Sequence, residues 1–169
     1  MAQTAQYIVQ DNLNKIIDLL NQAFAEEWLA YYQYWIGAKV AAGPMRSDIT
    51  DEFMEHAEEE LKHADRLADR IIQLGGTPVL TPEKWMEIAK CRYEAPVDSC
   101  IFKILEQNLT AERCAVSHYQ QLCEVTHNVD FVTFRLSEKI LAEEIEHEQE
   151  IEDFMHDMDV ALKCGPDKN

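Results

Sequence analysis

Apolar and small side chains recur at steps of three and four residues through Ile16, Leu20, Ala23, Ala30, Tyr34 and Ala38. A second stripe of the same period runs through Phe53, Ala57, Ala64, Leu67, Ile71 and Leu74. Stripes this long belong to amphipathic helices, and such helices bury their apolar faces only by packing on other helices. Punctuation is sparse, with five Gly and five Pro in 169 residues, so each break carries weight. Gly43-Pro44 ends the first helix, and Ser47 or Asp48 is placed to cap the second. Gly75-Gly76-Thr77-Pro78 ends that helix, and Thr81-Pro82 opens a short one within the connection that follows. A third helix begins after Pro96, and Asn128 to Asp130 turn the chain into a fourth. These signals predict a single domain over 1–169 with helices at about 10–42, 48–75, 97–126 and 130–162, and a crossover at 76–96. Each helix is ~45 Å long at 1.5 Å per residue. Two tight hairpins joined by one long crossover make an all-α four-helix bundle.

Charge narrows the function. A formal net charge of −17 disfavours nucleic acid and anionic membranes as partners, since both need a basic footprint, and it suits a protein that attracts cations. No stretch reads as a signal peptide or approaches the ~18 apolar residues of a membrane span, so the expected location is the cytoplasm. The cysteines Cys91, Cys100, Cys114, Cys123 and Cys164 are odd in number and contain no Cys-x-x-Cys pair. This argues against a secreted disulfide framework and against a zinc or rubredoxin-type knuckle.

Glu-x-x-His, which puts two side chains on one helical face, occurs at Glu60/His63, Glu124/His127 and Glu144/His147. The Glu124 copy falls beside a turn and reads as surface. The other two sit inside a duplication. Glu27-Trp-Leu-Ala30-Tyr-Tyr-Gln-Tyr34 and Glu112-Arg-Cys-Ala115-Val-Ser-His-Tyr119 share the pattern Glu-x-x-Ala-x-x-x-Tyr. From Glu27 to Glu60 is 33 residues, and from Glu112 to Glu144 is 32. Each hairpin therefore supplies one lone Glu and one Glu-x-x-His. Docked about a pseudo-twofold axis, the hairpins would gather Glu27, Glu60, His63, Glu112, Glu144 and His147 in mid-bundle. Glu27, Glu60 and Glu144 lie in the apolar register of their helices, where a lone carboxylate is expensive to bury. Four carboxylates would be neutralised by two divalent cations.

This ligand pattern is similar to the ferritin-like di-iron carboxylate set, and the resemblance covers about residues 10 to 160. Glu60-Leu-Lys-His63-Ala-Asp65-Arg66 followed by Gly76-Thr-Pro78 resembles bacterioferritin, as does the segment from Glu27 to Tyr34. The resemblance implies a di-iron centre in which Glu27 and His63 are terminal ligands of one iron, Glu112 and His147 of the other, and Glu60 and Glu144 bridge. It leaves Tyr34 and Tyr119 as partners of the ligands, electron donors or ordinary core tyrosines.

Two departures refine it. Leu61 stands where bacterioferritin has its haem-ligating Met, so no haem is expected. Only Lys163-Cys164-Gly165-Pro166-Asp-Lys-Asn follows the fourth helix, without the short fifth helix of 24-subunit cages. Both point to the Dps-like proteins with a bacterioferritin-type centre, also called thioferritins, and so to a closed homo-oligomer of twelve subunits. That resemblance also implies a cysteine pair near the metals, Cys91 with Cys114, or Cys100 as the other partner. The five cysteines are otherwise small buried apolar residues. The segment 1–14 contains no Lys or Arg, so the DNA binding of starvation-induced relatives is not carried over. The function expected is a ferroxidase that oxidises Fe(II) with H2O2 or O2 and stores the ferric product. The alternative is a non-storing di-metal peroxidase or manganese catalase.

Overall fold

The computed structural model describes residues 3–9 and 12–164. A short helix α1 (Gln3–Val9) precedes the four long ones, α2 (Leu13–Val40), α3 (Arg46–Gln73), α5 (Ile101–Thr126) and α6 (Phe131–Cys164). The connection between α3 and α5 contains a 3-10 turn, Pro82–Lys84, running into a one-turn helix α4 (Trp85–Ile88), with Pro82 opening it as its sequence predicts. The start expected near residue 10 falls outside the described residues.

Local chemistry explains most of the boundaries. Gly75 adopts φ +82°, and Gly76 N–H reaches back to the Ile71 carbonyl at 2.9 Å while Gly75 N–H reaches Ile72 at 3.0 Å. This paired closure satisfies the last carbonyls of α3 and needs a left-handed residue, which Gly supplies without strain. The start of α3 differs from expectation. It opens at Arg46 after a left-handed Met45, and neither Ser47 nor Asp48 caps it; Asp48 lies inside the first turn, where its charge faces the positive end of the helix dipole. The third long helix also starts later than expected, at Ile101. Residues just before it are extended because Ala42 N–H bonds to the Ser99 carbonyl at 2.7 Å and Ile101 N–H to the Ala42 carbonyl at 3.0 Å.

That last contact fixes the topology. It ties the start of α5 to the end of α2, so the crossover travels the full length of the bundle from the Gly75 end to the Gly43 end. On the way it lies along α2, whose polar side chains satisfy its backbone. Asn21 accepts from Val79 N–H at 3.0 Å, Glu26 from Lys90 N–H at 2.6 Å, and Gln33 from Glu94 N–H at 3.0 Å. Trp85 stacks on Trp28 with ring centroids 5.1 Å apart. At the opposite corner Asp130 caps α6 through Val132 and Thr133 N–H and accepts two hydrogen bonds from Arg70 at 2.9 and 2.8 Å, pinning the second hairpin to the end of α3.

The apolar interior is divided. One cluster around Ile16, Leu20, Leu67, Ile71, Leu122 and Ile140 fills one end of the bundle. Another around Ile49, Phe53, Ile101, Leu105, Ile151 and Met158 fills the other. Between them lies a layer of buried polar residues, and the bundle's chemistry is there.

Candidate metal centre

All six residues singled out by the duplication meet in this layer. Glu27, Glu60, His63, Glu112, Glu144 and His147 are each no more than 3% exposed. Two sets of donor atoms lie within 4.8 Å of one another: Glu27, Glu60, His63 and Glu144, and Glu60, Glu112, Glu144 and His147. Glu60 and Glu144 belong to both sets, which is the placement that bridging requires. His63 turns Nδ1 inward, 2.9 Å from Glu144, 3.0 Å from Glu60 and 3.3 Å from Glu27. His147 turns its Nδ1 inward as well, 3.5 Å from Glu60 and 3.9 Å from Glu112 and Glu144. Among the described residues no Lys or Arg pairs with any of the four carboxylates. Glu60 Oε1, Glu112 Oε2 and His147 Nδ1 are buried without a hydrogen-bond partner. Such orphaned polar atoms are costly, and their convergence fits a site completed by cations.

The tyrosines cross-brace the site. Tyr34 on α2 donates to Glu112 on α5, and Tyr119 on α5 donates to Glu27 on α2. Each hairpin thus orients the lone Glu of the other. The outward nitrogens of the histidines are held the same way: His63 Nε2 meets Glu143 at 3.0 Å, and His147 Nε2 meets Glu59 at 3.0 Å. A carboxylate behind an imidazole fixes its tautomer and aims its other nitrogen. Glu59 and Glu143 were not singled out by sequence, although the signal was present. The duplicated unit is Glu-Glu-x-x-His, with Glu59 and Glu143 each just before a Glu shared by both donor sets. Glu124 and His127, the third copy, are exposed and belong to neither donor set.

Electrostatics favour the protonated forms of several groups in this layer. Burial, and then Glu60 and Glu144, push Glu27 well above the usual carboxylate range, and burial with Glu144 and Glu60 does the same to Glu112. Burial would also raise Glu60, but the facing imidazoles of His147 and His63 outweigh it and hold Glu60 below the usual range. Burial opposes the charge of His147, yet the facing Glu60 carboxylate and then Glu112 and Glu144 lift it to about 11, and His63 is raised in the same manner by Glu144, Glu27 and Glu60.

Against this layer the crossover brings a disulfide, Cys91–Cys114, with Cα atoms 5.6 Å apart. Of the two pairings open to Cys91 or Cys114, this is the one present; Cys100, Cys123 and Cys164 are free thiols. A cavity of about 20 Å³, room for a molecule the size of water, is lined by Cys91 together with Glu27, Glu60, Glu112 and Glu144. Glu26, next to Glu27, anchors this part of the crossover: it accepts from Lys90 and Cys91 N–H and pairs with the buried His118.

A bundle of four long helices with one overhand crossover, enclosing paired Glu-x-x-His motifs and two lone Glu, defines a ferritin-like scaffold whose buried donors could hold metal. Residues 17–160 match the Ferritin family, described as a ferritin-like domain, and the chain belongs to that family. A DNA protection during starvation protein from Pyrococcus furiosus is 36% identical over 146 residues, covering 85% of this chain and 78% of the relative. A bacterioferritin from Brucella melitensis is 27% identical over 155 residues, covering 91% and 89%. In structure the chain is similar to the bacterioferritin-related protein from Bacteroides fragilis, a dodecameric thioferritin, with TM-score 0.94, 46% identity, and coverage of 96% of this chain and 98% of that one. It is thus a bacterioferritin-related, Dps-like member of the ferritin-like group. No helix among the described residues is long and apolar enough to cross a membrane.

Proposed function

We propose that this chain is a ferroxidase with an iron-storage role. Fe(II) is its substrate, bound as a pair within one subunit by Glu27, Glu60, His63, Glu112, Glu144 and His147. H2O2 or O2 is the oxidant, and the ferric product is retained inside a closed shell of twelve copies. The observation that carries this reading is the convergence of four buried carboxylates and two inward-facing imidazoles with no Lys or Arg of the described residues paired to the carboxylates. Mixed carboxylate and imidazole donors suit iron and manganese. When bound, two irons at one bridged site supply two electrons to one oxidant molecule.

The protein's own groups do the rest. Tyr34 and Tyr119 hold Glu112 and Glu27 in register, and Glu143 and Glu59 aim the imidazoles. His63, His147, Glu27 and Glu112 give up protons as cations enter, so the charge of the buried layer stays nearly constant. The apolar clusters above and below exclude bulk water. Membership of the ferritin-like group and the likeness to a thioferritin shell support storage over a free-standing peroxidase or manganese catalase.

The test is stopped-flow oxidation of anaerobically loaded Fe(II), followed by counting iron retained after gel filtration. Saturation at two Fe(II) per chain in the fast phase, with many more retained per assembled shell, is expected. A monomer or dimer in light scattering, instead of about 235 kDa for twelve chains of 19.6 kDa, would remove the storage half of the reading. A fast phase unaffected by Glu60→Ala would remove the ferroxidase half.

A further inference from the structure

The duplication that builds the central layer breaks down at one end, and the break has its own chemistry. His56 lies one turn before Glu60 on α3 and is 2% exposed. Its ring stacks on His147, with centroids 4.1 Å apart. Its Nε2 faces two carboxylates, Glu150 of α6 at 2.8 Å and Glu52 of α3 at 3.6 Å. One donor atom from each of the three residues falls within 4.8 Å of the others. We propose that Glu52, His56 and Glu150 form a third cation site, for a divalent transition metal, beside the His147 end of the central cluster.

Symmetry supplies the first argument. In the other half of the duplication the positions matching Glu52, His56 and Glu150 are Leu136, Ile140 and Arg66. There Ile140 is fully buried in an apolar cluster with Leu136 packed against it, and Arg66 pairs with Glu143 at 2.8 Å. So the carboxylate behind His63 is neutralised by an arginine, and the end of the layer closes with hydrocarbon. At the end near His147 the same three places carry two acids and an imidazole. Mere packing would be served by the apolar pair seen at the matching positions.

The second argument is charge. Among the described residues no Lys or Arg forms an ion pair with Glu52 or Glu150; their one ion-pair partner is His56, and the two carboxyl groups face each other within hydrogen-bonding reach. Glu55, Glu59 and Glu146 stand near enough to add repulsion. Two carboxylates with a shared imidazole carry −2, which one divalent cation balances. The ring's other nitrogen, Nδ1, is buried with no partner, so no hydrogen bond on its far side accounts for an imidazole at this position.

Geometry agrees. Donors bound to one ion at ~2.1 Å in a tetrahedral arrangement stand ~3.4 Å apart, and the two distances from His56 Nε2 bracket that value. Three protein donors leave a fourth position open for water. The side chains of Glu52 and Glu150 are 29% and 38% exposed, so solvent reaches the site, while His147, against which His56 stacks, belongs to the central cluster. The site stands independently of what the central cluster oxidises.

Anaerobic equilibrium dialysis of the assembled, metal-free protein against Co(II) alone, with bound metal counted by mass spectrometry, tests the assignment. Wild type is expected to hold one cation per chain more than the Glu52→Gln/Glu150→Gln protein, whose substitutions are near the surface and nearly isosteric. Glu60→Ala is expected to keep that extra cation, because the third site does not use Glu60. Diffraction at the cobalt edge is expected to show an anomalous peak between His56 Nε2 and the two carboxylates. Equal metal content in wild type and the double variant, at two or at three per chain, would overturn the proposal. If wild type holds one cation per chain and the double variant none, the third site stands and the two-iron reading of the central cluster fails.

Discussion

Loading the central layer with metal should expel protons, in a number the structure sets. His63 and His147 are held protonated well above their ordinary range by the carboxylates they face, and each must be neutral to ligate. Glu27 and Glu112 are pushed upward by burial and by their neighbours Glu60 and Glu144, so each carries a further proton available for release. Two cations therefore displace two protons from the imidazoles and as many as two more from the carboxyls. Because the slope of the logarithm of a binding constant against pH equals the number of protons released, the overall constant for the pair rises roughly 10²- to 10⁴-fold per pH unit near neutrality. The experiment is an anaerobic titration of metal-free protein with Zn(II), which cannot be oxidised, in weakly buffered solution with a pH-stat. Two to four protons per pair of cations is the expected count. Release of fewer than one would mean that the imidazoles are already neutral, and the account of how the empty layer balances its charge would be wrong.

Glu59→Ala and Glu143→Ala each remove a carboxylate behind a histidine and should weaken metal binding ~10- to 100-fold without preventing assembly, as read by competition with a chelating dye. Glu124→Ala should leave Fe(II) oxidation unchanged in stopped flow, because that motif is exposed. Arg70→Ala strands the buried Asp130, and chemical denaturation should show a loss of about 3–5 kcal/mol. Metal-free protein should become less stable as pH rises from neutrality through about 11. A raised histidine contributes fully below its unfolded value near 6.5 and loses that contribution as pH climbs through its folded value, so Tm in a pH series should fall on the alkaline side.

What the sequence shows and what it hides divide along physical lines. Helix period, Gly75-Gly76 and the repeated Glu-x-x-Ala-x-x-x-Tyr are local signals, so the bundle and the six residues of the layer could be read directly. The start of α5 could not be. It is set by Ala42, which pairs with Ser99 and Ile101 across the bundle, and nothing near residue 97 encodes that contact. Ser47 and Asp48 have the chemistry of a helix cap, but the left-handed Met45 admits α3 before either. Glu59 and Glu143 were hidden among neighbouring glutamates in an acidic chain. His56 was hidden because its partner Glu150 lies on another helix, and no spacing along the chain connects them.

The crossed tyrosines have a consequence for when this chemistry can begin. The α2–α3 hairpin holds Glu27, Glu60 and His63, and the α5–α6 hairpin holds Glu112, Glu144 and His147, yet each lone Glu is oriented by a tyrosine of the opposite hairpin. Neither half owns a working site. A chain still emerging from the ribosome, with only its first hairpin complete, has three donors and no brace for Glu27. If the layer binds iron as proposed, the full donor set for it exists only once the second hairpin has docked.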